Sequence, residues 1–230
     1  MFEKEIQNFL EDLGADLVGF SNLGESQIKG QNLSYAVTIA VKIPDAILKT
    51  IIERPTIEYF HEYRTANALL DSMSFRLARF IEKKGYNAYP IGASQSDPNA
   101  NYSGIFSHKK GARLSGLGFI GKNCLLITKE YGSKIRLATV LTDMPVTSQR
   151  EIIKNGCGDC QICQKACPGG AISGINYHEG LDREEFFSAE KCSHNMKNYK
   201  DVGRGAVCGI CIKVCPYNKL TDKKVDKTQL

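Results

Sequence analysis

Apolar residues at Phe2, Ile6, Phe9, Leu10 and Leu13 recur every three to four positions, so the chain opens on an amphipathic helix. Gly14 stands where that helix would stop. The period then changes. Residues 17–20 and 35–43 (YAVTIAVKI) are short and rich in β-branched side chains, the texture of strands, and Pro44 closes the second run. From about residue 58 to 84, Tyr59, Tyr63, Ala66, Leu69, Leu70, Met73, Leu77, Phe80 and Ile81 form one stripe of a long amphipathic helix, which Gly85 ends. Residues 87–91, 124–128 and 136–141 read as further strands. The polar, glycine-containing stretch 92–122 is too long for a passive connector, which makes it a candidate functional loop.

Past residue 155 the texture shifts again: strand-like runs vanish, cysteines appear, and the segments between them are short. A boundary between about 147 and 153 divides the chain into an α+β unit over 1–150, a cysteine-rich unit over 151–220 and a polar tail over 221–230. The 230 residues are 42% hydrophobic and 24% charged, so a packed core is expected and disorder is not. The N-terminal segment threads acidic residues among apolar ones without a cleavage pattern, and no apolar run is long enough to span a bilayer. A soluble cytoplasmic protein with no membrane partner is the expectation. Nine cysteines in that setting point to metal ligation rather than to disulfides.

The spacing of those cysteines carries the strongest signal in the chain. Cys157, Cys160, Cys163 and Cys167, followed by Pro168, have the C-x2-C-x2-C-x3-C-P pattern of bacterial two-cluster ferredoxins. Three thiolates two residues apart can wrap one cubane from a tight loop, and the x3 step carries the fourth away toward a second cubane. Cys208, Cys211 and Cys215, followed by Pro216, repeat the pattern with one cysteine missing, and Cys192 is the obvious replacement. The crossed arrangement assigns Cys157, Cys160, Cys163 and Cys215 to one [4Fe-4S] cluster and Cys167, Cys192, Cys208 and Cys211 to the other. Zinc also takes paired C-x2-C units, but it does not ordinarily need a third cysteine two residues on. The formal charge of +5 falls to about +1 once two clusters of about −2 each are counted, so it is no nucleic-acid signal. Cys124, in the apolar run CLLIT, reads as a buried core thiol. His61, His178 and His194 read as surface residues, with His194 close enough in sequence to Cys192 to tune a cluster. The fold expected is α+β: a mixed α/β sandwich followed by a ferredoxin-like domain.

The segment Gly116-Leu-Gly-Phe-Ile-Gly-Lys-Asn123, then CLLITKEYGS and LATVLTDMPV, resembles the epoxyqueuosine reductase family, and the cysteine order with its lone Cys192 is similar too. The likeness runs from Tyr35 to about Leu220. That family reduces a tRNA-bound epoxide with cobalamin held against two [4Fe-4S] clusters, and reductive dehalogenases are distant relatives. The resemblance implies a base-off cobalamin between the two units, bound by Gly116, Gly118, Gly121, Lys122 and Asn123. Read without it, the three glycines permit close backbone approach to a flat ligand or simply make a tight turn. Lys109, Lys110, Arg113 and Lys122 could meet phosphate or propionamide groups, or form a solvated face.

Two departures shape the functional expectation. The family's catalytic aspartate, about 14 residues before the G-L-G segment, has no counterpart, and ungapped counting lands on Tyr102, a candidate acid with His108 as runner-up. The sequence ends soon after Pro216 without the helical repeats by which family members engage tRNA, which argues against tRNA as the substrate. The expectation is an iron-sulfur oxidoreductase that passes electrons from a flavodoxin or ferredoxin through both clusters to cobalamin, for reduction of a small molecule or a corrinoid protein. The alternative is a non-catalytic electron carrier or the redox partner of another enzyme.

Overall fold

Four strand-forming runs pair into one antiparallel sheet. They are β1 (Leu17–Asn22), β2 (Tyr35–Lys42), β3 (Ala88–Ile91) and β6 (Ile135–Thr142), ordered β1-β2-β6-β3. The computed structural model describes residues 2–95, 97, 101–147, 150–203 and 207–221. Alternation along the strands gives the sheet two apolar faces. Val37, Ile39, Val41, Ala138 and Val140 meet α1 (Phe2–Asp12) and α3 (Ile57–Glu82) through Ile6, Leu10, Leu70, Met73, Leu77 and Ile81. Ala40 and Leu137, on the other face, pack with Ala112, Leu117 and Leu126 from α4 (His108–Leu114) and the antiparallel pair β4 (Gly118–Ile120) and β5 (Leu126–Thr128). Gly111 lets α4 lie close on the sheet, because a Cβ there would sit 2.7 Å from Thr38 Oγ1.

The stretch 92–122 is thus no open loop: it contains α4 and β4. Its helix is short, and Gly111 interrupts the apolar pattern, so periodicity missed it. The strand expected from 124 begins only at Leu126, because Cys124 adopts a left-handed φ of 59° at the turn. α2 (Asp45–Thr50), directly after Pro44, also escaped the pattern.

Beyond residue 150 the described residues form α5 (Ile162–Ala166), α6 (Arg183–Phe186), α7 (Ala189–Met196), α8 (Ile210–Lys213) and two short 3₁₀ turns. An isolated bridge joins Ile172 to Phe187. This part packs on the sheet-bearing part: Ile210 and Ile212 share a core with Ile43, Leu48, Ile51, Tyr59 and Ala66. Asn218 Oδ1 accepts the N–H of Ser133 at 3.0 Å. The tail expected over 221–230 falls, from 222 on, outside the described residues. No helix among those described is long and apolar enough to cross a membrane.

Candidate functional site

The eight cysteines singled out by spacing gather into two sets. Cys157, Cys160 and Cys163, from the loop leading into α5, converge with Cys215 on one small cavity, which Asn123, Ile127, Pro216 and Tyr217 complete. Cys192, from α7, feels Cys167 and Cys208 most among the thiols, and Cys211 feels Cys208 and Cys192, then Cys163 of the first set and Cys167. Among the described residues no three His, Cys, Asp or Glu side chains converge tightly enough for a single metal ion. Thiolates around one zinc would stand about 3.8 Å apart. Four sulfurs spread around a volume suit a cubane instead.

Electrostatics agree with a cationic core at each place. Burial, then the neighbouring thiols Cys157, Cys215 and Cys160, push the Cys163 thiol up to about 11. Burial, then Cys167 and Cys208, do the same to Cys192, also to about 11. Such crowded thiols ionise when iron supplies the compensating charge. Backbone donors are already aimed at them: Lys122 N–H at Cys157, Tyr217 N–H at Cys215 and Ile210 N–H at Cys208. Ala171 N–H points at Cys167 Sγ, 3.4 Å away.

The glycine loop lies elsewhere than the resemblance implied. A Cβ on Gly118 would lie 2.2 Å from the Ile127 carbonyl oxygen, and one on Gly121 would lie 2.4 Å from Ile127 Cδ1. Gly116, at φ 70°, abuts Arg150 and Glu151. A Cβ on any of the three would meet the chain itself, so the close approach these glycines permit on that side is to protein. Lys122 and Asn123 are buried, the first giving its N–H to Cys157 and the second lining the Cys157 set's cavity. Phe119 and Ile127 pack against Cys215, Cys157 and Tyr217. This face of the loop serves the first cysteine set.

A larger cavity, about 750 Å³, opens on the other side of the same turn. Ile120, Cys124, Leu125 and Leu126 form its apolar floor, Arg136 and Leu137 its sheet side, and Tyr177 and 181–186 close it from the cysteine-rich part. Tyr102 and His108 both line it. Tyr102 stands at the rim, 52% exposed with φ 62°, and Arg183 grips its loop by donating to the carbonyls of Asn101 (2.8 Å) and Tyr102 (3.2 Å). His108 is unsuited to acid catalysis. Its Nε2–H donates to the Gly92 carbonyl at 3.1 Å, so Nδ1 accepts from the Thr139 hydroxyl at 2.9 Å. Burial, with Arg136 adding to it against the Gly92 bond, holds the imidazole down at about 4. It is a neutral structural histidine.

Three features lay beyond sequence reasoning. Arg136 stacks over the Tyr63 ring at 4.1 Å and donates to its hydroxyl at 3.0 Å. Burial would raise that phenol, but Arg136 and the hydrogen bonds with Ser94 and Asn67 outweigh it and lower it. Cys124 is the buried core thiol expected, packed with Ile120 and Phe186, but it also walls the cavity, and Lys109 Nζ donates to its Sγ at 3.0 Å and its carbonyl at 2.6 Å. The 177–186 segment forms a cavity wall although its sequence carries no motif. Long-range contacts place it, among them Arg113 to Glu179 at 3.4 Å.

Residues 156–218 match the family described as 4Fe-4S double cluster binding domain. The tetrachloroethene reductive dehalogenase of Desulfitobacterium hafniense is 32% identical over 159 residues, which is 64% of this chain and 27% of the relative. The epoxyqueuosine reductase of Lactococcus garvieae (strain Lg2) is 36% identical over 111 residues, 47% of this chain and 31% of the relative. The chain therefore spans under a third of the length of these two curated relatives. Among solved structures, a catabolic reductive dehalogenase superposes on 93% of this chain and 31% of its own with a TM-score of 0.72 at 22% identity, which shows a shared fold.

Proposed function

We propose that the chain is an iron-sulfur oxidoreductase whose eight cysteines hold two [4Fe-4S] clusters and whose large cavity holds the acceptor of their electrons. One observation carries this reading. Leu125 of the cavity floor packs on the same apolar core as Cys208 and Cys211, so the second cysteine set and the cavity share a wall. A two-cluster carrier without an acceptor has no use for a cavity so placed.

The residues present fit a corrinoid as that acceptor. A volume of about 750 Å³ lies at the upper end of small-molecule sites. The apolar floor of Ile120, Leu125 and Leu126 suits a macrocycle, and Gln95, Asn101, Ser103 and Lys110 around it can meet amide side chains. When bound, the clusters supply one-electron transfer at low potential and the corrinoid supplies the strongly reducing metal centre. The chain's own part is positional and electrostatic. Lys109 and Arg136 place positive charge around an acceptor that becomes more negative on reduction. Tyr102, in place of the family's aspartate, offers a phenolic proton at the rim. The external donor in this reading is a small low-potential protein such as a flavodoxin or ferredoxin.

Adding cob(II)alamin to anaerobically reconstituted protein tests the cavity's role. A base-off electron paramagnetic resonance signal is expected, and it should vanish in Ser103→Trp, which plugs the cavity while leaving every cysteine in place. A spectrum of free base-on cofactor alone would remove the corrinoid and favour the plain carrier.

A further inference from the structure

The cavity's charges do not balance. Its two carboxylates are already engaged: Glu184 Oε1 pairs with Arg183 Nη2 at 2.8 Å, and Asp182 Oδ1 accepts the Glu184 N–H at 2.8 Å as the cap of α6. Lys110 Nζ donates to Gln27 Oε1 at 2.9 Å. Among the described residues Lys109 and Arg136 have no carboxylate within 4 Å, and His108 is neutral. Gln27 is neutral, so Lys110 too lacks a carboxylate, but it is exposed; Lys109 and Arg136 are the two half-buried cations of the lining left without a paired carboxylate among the described residues.

Arg136 is the better formed of the two as a receptor. Its Nε donates to Asn67 Oδ1 at 3.0 Å and its Nη2 to Tyr63 OH at 3.0 Å, while the Tyr63 ring lies under the guanidinium. Those contacts fix the plane of the fork, so little side-chain entropy remains to be lost on binding. Nη1 makes no hydrogen bond among the described residues. With Nη2 also reaching Ser94 Oγ at 3.4 Å, Nη1 is the donor left to receive a carboxylate oxygen, and a partly enclosed cation gains most from an ionic partner. The other apolar lining, among it Ala93, Phe106 and Phe186, suits an apolar body behind that group and leaves the floor of Ile120, Leu125 and Leu126 to the acceptor.

We propose that the substrate of the cavity is a small organic acid, apolar in body, whose carboxylate is received by Arg136. This rests on the cavity being the acceptor site but not on the identity of any cofactor. Arg136 acts here as a binding residue that orients the substrate in the cavity.

Calorimetry on the anaerobically reconstituted protein tests this with 3-phenylpropionate, its neutral amide 3-phenylpropionamide, and inorganic phosphate. The acid should bind at least roughly tenfold more tightly than the amide and more tightly than phosphate. Arg136→Gln should erase the preference for the acid while retaining the iron content. Because Arg136 also braces Tyr63 and Asn67, the wild-type comparison of acid with amide stands without the variant. Equal binding of acid and amide, no binding of the acid, phosphate binding as tightly as the acid, or a preference that persists in Arg136→Gln would each overturn the assignment. A base-off cob(II)alamin signal without acid selectivity would sink this inference alone and leave the cavity's role as acceptor site standing.

Discussion

Replacing Gly118 by alanine should damage the first cysteine set more than the large cavity. The added Cβ would stand 2.2 Å from the Ile127 carbonyl oxygen and 2.8 Å from its carbonyl carbon. Carbon and oxygen tolerate roughly 3.3 Å, so β4 and β5 must part by about 1 Å from a spacing of about 4.8 Å. The obstacle is backbone, which cannot swing aside as a side chain would. Overpacking of this kind costs about 1–3 kcal/mol, and each kcal/mol is worth about 2–4 °C in a chain of this size. The strain falls first on the cysteines: Phe119 and Ile127 press on Cys157, Cys215 and Tyr217, whereas Gly118 does not line the cavity and the two strands reach its floor only at Ile120 and Leu126. Iron and acid-labile sulfide after anaerobic reconstitution should fall from about eight toward about four of each per chain. The midpoint of thermal unfolding should fall with them. Full cluster content with an unchanged midpoint would refute the packing argument. So would loss of cob(II)alamin binding with both clusters intact, the outcome expected of a glycine pressed against a cofactor.

Two other perturbations probe separate parts of the site. Cys192→Ala should remove the second cluster's signal and leave the first, because Cys192 stands among Cys167 and Cys208 and away from the Cys157 set; two unchanged cluster spectra would show that another residue is the eighth ligand. His108, held at about 4 against about 6.5 unfolded, contributes stability that is present above pH 6.5 and lost as pH falls toward 4, about 1.3 kcal/mol of it between pH 7.5 and 5.5. Anaerobic denaturant midpoints of wild type and His108→Gln should converge over that window, and since cluster lability is common to both proteins, curves that stay parallel would refute the buried neutral imidazole.

The cysteine sets were legible because the information is local. Ligand spacing around a cubane is fixed by a few residues of backbone, so C-x2-C-x2-C-x3-C-P states its geometry in twelve positions. The long helix and the two eight-residue strands were legible for the same reason, since each repeats its period over enough residues to be read. The cavity was not. Its walls come from around 93–95, 101–110, 120–126, 135–137 and 177–186 among the described residues, and the bonds that close it, such as Arg183 to Asn101, join residues some eighty positions apart. Neither the apolar pattern nor any short motif encodes such a pairing.

The glycine-rich segment shows where local reading fails in an instructive way. Each of Gly116, Gly118 and Gly121 does mark a close approach, as a glycine-rich run should. The approaching atoms belong to Arg150, Glu151 and Ile127, so the chemistry of the run had been assigned to the wrong neighbour. What the tight packing achieves is a rigid five-residue turn with two faces. Lys122 and Asn123 look toward the first cysteine set, and Asn123 Nδ2 also donates to the Cys211 carbonyl of the second at 3.4 Å. Ile120 and Cys124 look into the cavity, and Cys124 neighbours Cys192. Residues 120–124 therefore touch both sets and the cavity at once. A substitution that bends this turn must move cluster ligands and cavity floor together, and independent tuning of the two has to come from residues that touch only one, Tyr217 for the first set and Arg136 for the cavity.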